Sequence, residues 1–234
     1  TESAFSIFSV EHFFTIFIVL FFVFTIPLFF KNKGELVKKR MGYVIAYLLI
    51  THEISGIYTT SLFEYPWQEA IPLHMCDMSA LAIAYFLFTR KKIFFNCAFF
   101  WSIGGGGMAL VTPTVKYGFP HLEYFLFYCA HGLILLAVFY SLIALNMRPF
   151  FNDMLMVIAV SIFVMFIIYF INPILGSEAN FWYLANKPNS TTVINLFPDP
   201  PYHILGMFLL GLFIIILTYL PFFLMDRIRK TKDY

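Results

Sequence analysis

Seven apolar runs divide this 234-residue chain. Each is long enough to cross the hydrocarbon core of a bilayer, which is about 30 Å thick and takes roughly 20 helical residues. They cover approximately residues 13–30, 42–63, 71–89, 93–111, 121–145, 154–171 and 202–225. Hydrocarbon offers no water to an unpaired amide, so every run is predicted to be a helix. Composition points the same way. Only 12% of residues are charged, against about 25% in soluble domains, and the mean hydropathy is +0.82. The 32 phenylalanines suit surfaces that face lipid. The fold class is therefore all-α: a polytopic membrane protein of seven transmembrane helices, read as one domain over residues 1–234. The first run lacks a basic flank and is too long for a cleavable signal, so it reads as a span.

The loops set the orientation. "KNKGELVKKR" (residues 31–40), "RKK" (90–92), Arg148 and the tail "DRIRKTKDY" carry most of the basic residues, and all fall on one side. The second loop has no Lys or Arg; the fourth has only Lys116 and the sixth only Lys187. The positive-inside rule then places the N-terminus outside and the C-terminus in the cytoplasm. A net charge of +2 with its cations confined to loops leaves no basic groove for nucleic acid. The sixth loop, about 172–201, is long and rich in Asn, Pro and aromatics. Its Trp182–Tyr183 pair predicts a folded extracytoplasmic cap. Asn189 opens an "NST" glycosylation sequon, which matters only in a secretory setting. Three cysteines, an odd number in apolar context, read as free thiols.

Polar residues inside the spans are few. Span two carries His52 and Glu53, and span three opens with His74, Cys76 and Asp77 in "IPLHMCDMSAL". Span four carries Asn96 and "GGGG" (104–107). Span five opens with His121, Glu123, Tyr124, Tyr128 and His131, and span seven with His203. An Asp at the centre of a spanning helix costs about 2.5–3.5 kcal/mol, so such residues mark function by default. The blander reading of any single His is a hydrogen bond to a carbonyl across helices. Cys97 and Cys129 read as packing residues, since a buried Cys behaves as a small hydrophobe.

In a regular helix His74 and Asp77 share a face, while Cys76 points roughly 200° away from His74. Pro72 is expected in the first turn, where proline is tolerated. A base for Cys76 must then come from another helix, with His131 first by depth and His52 second. Tyr124, Tyr128 and His131 fall on one face of span five and line either a polar cavity or a tyrosine-rich helix interface. Three chemistries fit these residues. One is acyl transfer through a Cys76 thioester. Another is metal binding by His52, Glu53, His74, Asp77 and His131, although no tight two-His motif is present. The third is a transporter or ligand-binding protein with the same groups as a mid-membrane cage. The glycine run reads as close helix packing or a backbone oxyanion site in preference to a hinge.

The motifs "IPLHMCDMSAL", "WSIGGGGMALVTP", "YGFPHLEYFLFYCAHG", "NFWYLANKP", "PDPPYHIL" and "YLPF" together resemble the transmembrane protein 164 family, with its bacterial YwaF-type members, from about residue 41 to 222. One departure is Met108, where the family pattern carries a polar residue, often Gln, after the glycines. The resemblance implies seven helices. From the eukaryotic members it implies a cysteine-dependent acyltransferase acting on phospholipids, ether lysophospholipids especially. Cys76 of the "L-H-x-C" motif would be the nucleophile and His131 of the "HG" motif its partner. The expected activity is thus a phospholipid acyltransferase or transacylase in the bacterial cytoplasmic membrane. It needs no cofactor or metal, and its partners are membrane phospholipids and lysophospholipids. His74, Asp77, His52, Glu53, Tyr124, Tyr128, His121 and His203 form the expected supporting pocket.

Overall fold

A computed structural model describes residues 4–188 and 192–232, with side chains to 228. The Asn189 sequon lies outside the described residues. The chain is helical, and the described residues form no strand beyond an isolated bridge between Ala4 and Tyr117. The α-helices among the described residues are α1 (Val10–Phe30), α2 (Glu35–Leu62), α3 (Met75–Thr89), α4 (Lys92–Trp101), α5 (Gly107–Val111), α6 (Leu122–Ile143), α7 (Phe151–Leu175) and α8 (His203–Lys232). A π-helical turn, Ser102–Gly106, joins α4 to α5 so that the two make one span. Local chemistry sets several ends. The Ser9 hydroxyl accepts the His12 amide at the start of α1. Arg90, left-handed at φ 60°, stops α3, and Gly176 at φ 103° stops α7.

Six segments among the described residues are long and apolar enough to cross a membrane: Val10–Phe30, Trp67–Thr89, Lys92–Val111, Leu122–Ile143, Phe151–Leu175 and His203–Ile228. The remaining expected run falls on α2. It has ample length at 28 residues, but Lys38, Lys39, Arg40, His52 and Glu53 dilute its apolar character. Large side chains such as Phe17, Phe163 and Phe213 stand exposed on α1, α7 and α8. In water such surfaces would aggregate; against acyl chains they are at home.

The chain groups into two compact units, residues 1–147 and 148–234. In the first, α6 packs on α1, α2 and α3, and α3 packs on α2 and α4. Its core holds Ile45, Leu49, Phe86, Phe95, Phe99 and Tyr140. The buried Tyr140 hydroxyl donates to the Lys38 carbonyl at 2.7 Å and ties α6 to α2.

In the second unit α7 packs on α8, and Arg148 pairs with Asp226 at 2.7 Å. The connection after α7 is folded. The Asn172 amide both accepts the Phe181 N–H (3.0 Å) and donates to its carbonyl (3.1 Å). The Asn180 side chain accepts the Ala185 and Asn186 amides. The helix α7 runs through Leu175, so this connection begins at Gly176, later than the boundary near 172 read from sequence.

Candidate functional site

The stretch around Cys76 differs from its sequence reading in one decisive way. The helix does not start at Ile71. A short 3-10 turn, Trp67–Ala70, is followed by non-helical residues 71–74, and α3 begins at Met75. His74 is the N-cap, extended at φ −65° and ψ 154°. Its amide is taken by the Asp77 carboxylate at 3.0 Å, a cap that closes the first turn from the side chain of its third residue. Pro72 therefore precedes the helix and does not sit in its first turn. His74 and Asp77 meet through this cap, and the regular-helix face argument does not apply to His74.

This start places Cys76 second in α3. The first amides of a helix have no acceptor within it, and among the described residues no acceptor is found for the Met75 and Cys76 N–H groups. The thiol thus sits beside the Met75 and Cys76 amides at the positive end of a helix dipole. It is half-buried. Glu53 of α2 and the adjacent Asp77 lie within electrostatic range of it.

The glycine run forms the facing wall. Ser102 (−74°, −35°), Gly106 (−65°, −39°) and Gly107 (−64°, −44°) all keep helical angles around the π turn, so the run is a π-bulged continuation of α4. Such bulges often mark functional sites. A Cβ added to Gly105 would lie 3.6 Å from Met75 Sδ and 3.9 Å from Cys76 Sγ. The bare glycine brings this backbone against the thiol, and of the readings made from sequence the geometry fits close packing. Met108 follows on α5 and is half-buried.

The third wall is α6, which packs on α2, α3 and the π turn. Half-buried His131 engages the Phe127 carbonyl through Nδ1 at 2.9 Å. A carbonyl only accepts, so Nδ1 carries the proton and Nε2 presents a lone pair. No partner for Nε2 is found among the described residues. His52 lies within electrostatic range of His131. Its Nε2 donates to the Leu126 carbonyl at 3.2 Å, bridging α2 and α6.

The remaining expected residues take other stations. His74 Nε2 pairs with Glu69 at 3.1 Å. His121 caps α6, its Nδ1 accepting the Glu123 amide at 3.2 Å. Tyr124 turns to α1: its hydroxyl donates to Thr15 Oγ1 at 2.9 Å and reaches the Glu11 carbonyl at 3.3 Å. Tyr128 is buried against Tyr124 and His12. This is the tyrosine-rich interface of the two alternatives. His203 belongs to the second unit, where its Nε2 donates to the Tyr183 carbonyl at 2.8 Å. Cys97 is buried, whereas Cys129 is exposed and does not pack as a core thiol. All three cysteines are free.

Three residues escaped the sequence reading. Glu69 lay just outside the assigned third span, and only the non-helical turn brings it back to His74. His12 lay one residue before the assigned first span. It is fully buried, with Nδ1 accepting the Phe8 amide (3.0 Å) and Nε2 donating to the Leu110 carbonyl (2.9 Å). Tyr65 donates to Glu123, which also accepts the Lys116 and Tyr117 amides. Burial, and then the Glu123 carboxylate, push the Tyr65 hydroxyl above its ordinary range, so it stays a donor. No signal in the sequence pairs Tyr65 with Glu123, which come together from loops far apart in the chain. Among the described residues no three His, Cys, Asp or Glu side chains gather to hold a metal ion.

Comparison with known proteins adds a family. A family model described as the TMEM164 family matches residues 7–219. An uncharacterized protein of Treponema pallidum (strain Nichols) is 29% identical over 109 residues, which is 47% of this chain and 44% of that relative. The chain thus spans less than half the length of this relative. No solved structure matches.

Proposed function

This chain belongs to the TMEM164 family, and from that premise we propose that it is a membrane-embedded phospholipid acyltransferase or transacylase with Cys76 as nucleophile and His131 as base. One observation carries the reading. Cys76 stands in the first turn of α3 against the glycine backbone, while α6 presents His131 with Nε2 unprotonated. His131 Nε2 takes the thiol proton, and the thiolate attacks the ester carbonyl of a donor phospholipid. The Met75 and Cys76 amides meet the oxyanion. The lysophospholipid leaves as an alcohol with the proton from His131, and the acyl chain remains as a thioester. A lysophospholipid hydroxyl then gives its proton to His131 and attacks the thioester, and the thiolate is expelled and reprotonated. The glycine run needs only to admit the acyl carbonyl. His52 holds α2 to α6, and Glu53, Asp77 and the His74–Glu69 pair line the entrance.

The reading includes topology. With α2 as the seventh span, the basic loops fall on one side, which puts the N-terminus outside and the C-terminus in the cytoplasm of a bacterial cell membrane. Cys76 then works in the outer half of the bilayer.

The carboxylates of Glu53 and Asp77 beside the thiol favour a second reading: a binding or transport site for a cationic headgroup, with no covalent chemistry. Purified wild type and Cys76→Ser, given a labelled donor phospholipid and a lysophospholipid acceptor, separate the two. Acyl transfer is expected to vanish in Cys76→Ser, and intact-mass spectra of the wild type are expected to show an acyl adduct on Cys76. Equal transfer by both proteins, or lipid binding with no adduct under any donor, would falsify the covalent reading.

A further inference from the structure

At the far end of α3 from Cys76, about 20 Å away by helical rise, a cavity of about 500 Å³ opens between the start of α2, the end of α3 and the chain after α6. Its lining carries three cations, Lys38, Lys39 and Arg90, against one carboxylate, Glu35. The Lys38 side chain is 8% exposed and pairs with Glu35, so that carboxylate is already answered. Lys39 and Arg90 lean on the rings of Tyr43 and Phe86, and among the described residues neither meets a carboxylate. The start of α2 has Gly34 as its N-cap and no side-chain cap, so its first amides also face outward as donors. Two unanswered cations beside an uncapped helix start suit a phosphate oxyanion. Leu36 and Met147 line the same cavity, which gives a ligand with an apolar body a place to lie. Nothing in the proposed transfer chemistry uses this end of the bundle.

We propose that this cavity binds the phosphate of an anionic phospholipid, held by Lys39 and Arg90 at the membrane face opposite Cys76. Basic pockets between spanning helices take such headgroups, each basic residue strengthening binding by about fivefold near the surface.

Native mass spectrometry of the full chain in mild detergent, titrated in parallel with phosphatidylglycerol and phosphatidylcholine, tests it. The wild type is expected to hold phosphatidylglycerol more than about tenfold tighter. Lys39→Gln is expected to lose about fivefold and Lys39→Gln/Arg90→Gln to fall to the phosphatidylcholine level, both eluting as monodisperse protein. Lys31→Gln/Lys33→Gln, on the same basic face but outside the cavity, keeps its preference. No preference in the wild type overturns the proposal. So does an equal loss in the two double variants, which reduces the effect to general surface charge. Displacement of the lipid by millimolar inorganic phosphate assigns the site to free phosphate and overturns the lipid. A change in acyl transfer is not part of the readout, so this proposal and the Cys76 reading fail separately.

Discussion

The helix α6 carries polar groups on two faces, and they are treated oppositely. Toward α1 the named groups are bonded or walled in, save the buried Tyr128 hydroxyl, which meets no acceptor among the described residues. Both His12 nitrogens are bonded, the Tyr124 hydroxyl is bonded, and Gly132 lets Val19 approach. Toward α2, α3 and the π turn the groups are half-buried and incomplete. His131 has one nitrogen engaged and one presented, and the Met75 and Cys76 amides have no acceptor among the described residues. An apolar solvent charges several kcal/mol for an unsatisfied polar group. A closed polar interface is therefore glue, and an open one persists only where a ligand or reaction completes it.

The largest expected effects break this contrast at its open side. Cys76→Ala is expected to reduce acyl transfer on the order of 10³-fold or more, whereas Cys129→Ala, on the exposed face of α6, leaves it unchanged. Steady-state transfer per folded protein checks both, and equal losses would erase the distinction.

Next, His131→Ala is expected to lower transfer by about 10²–10⁴-fold, the range for a general base, with little change in melting temperature. The closed side predicts the reverse. His12→Ala orphans the Leu110 carbonyl and the Phe8 amide, costs about 1–3 kcal/mol, and leaves transfer per folded molecule intact. Parallel melting curves and transfer assays on the two variants read the contrast directly. A large loss of transfer in folded His12→Ala would extend the site across α6.

The sequence made the long spans legible because twenty apolar residues admit few alternatives. The helix α1 was expected over 13–30 and runs Val10–Phe30, and α6 was expected over 121–145 and runs Leu122–Ile143. The candidate chemistry was visible too, because His, Cys and Asp in an apolar run stand out. What stayed hidden was decided by contacts. Periodicity alone does not show that the Asp77 carboxylate takes the His74 amide and delays α3 to Met75. Nor does a run of four glycines announce a π turn, which depends on what packs against it. The very residues that flagged the site, His52 and Glu53, lowered the apolar character of α2 below that of the six candidate spans. Tyr124 and Tyr128 share a face with His131 by spacing, yet Tyr124 reaches Thr15 on α1, a neighbour that spacing cannot name.

The two glycines on these interfaces offer a finer comparison. A Cβ at Gly132 would lie 3.2 Å from Val19 Cγ1, tighter than a relaxed contact, whereas one at Gly105 would find ordinary van der Waals spacing. Gly132→Ala is expected to cost about 1 kcal/mol through overpacking, and Val19→Ala is expected to recover most of it, a coupling that a double-mutant cycle in melting experiments measures. Gly105→Ala is expected to be tolerated in melting, while Gly105→Leu fills the wall beside Cys76 and slows thiol alkylation. Equal melting penalties for the two alanines, with no recovery by Val19→Ala, would mean that α1 and α6 do not approach as described.

The smallest expected effect probes the rim. Glu69 is partly exposed, and its 3.1 Å contact with His74 joins two side chains that both retain access to solvent or headgroups. Exposed ion pairs contribute about 0–1 kcal/mol, and Glu69→Gln keeps an acceptor for the imidazole. Transfer is therefore expected to change by less than about fivefold, with melting unchanged. The value of this variant lies in its upper bound. His74 caps the turn that carries Cys76, so if the Glu69 carboxylate held the α3 amides in place, its loss would lower the rate of transfer without weakening lipid binding. A small, equal change in both would leave Glu69 at the entrance. A drop in rate comparable to that of His131→Ala would move the boundary of the open region outward to include the non-helical turn itself.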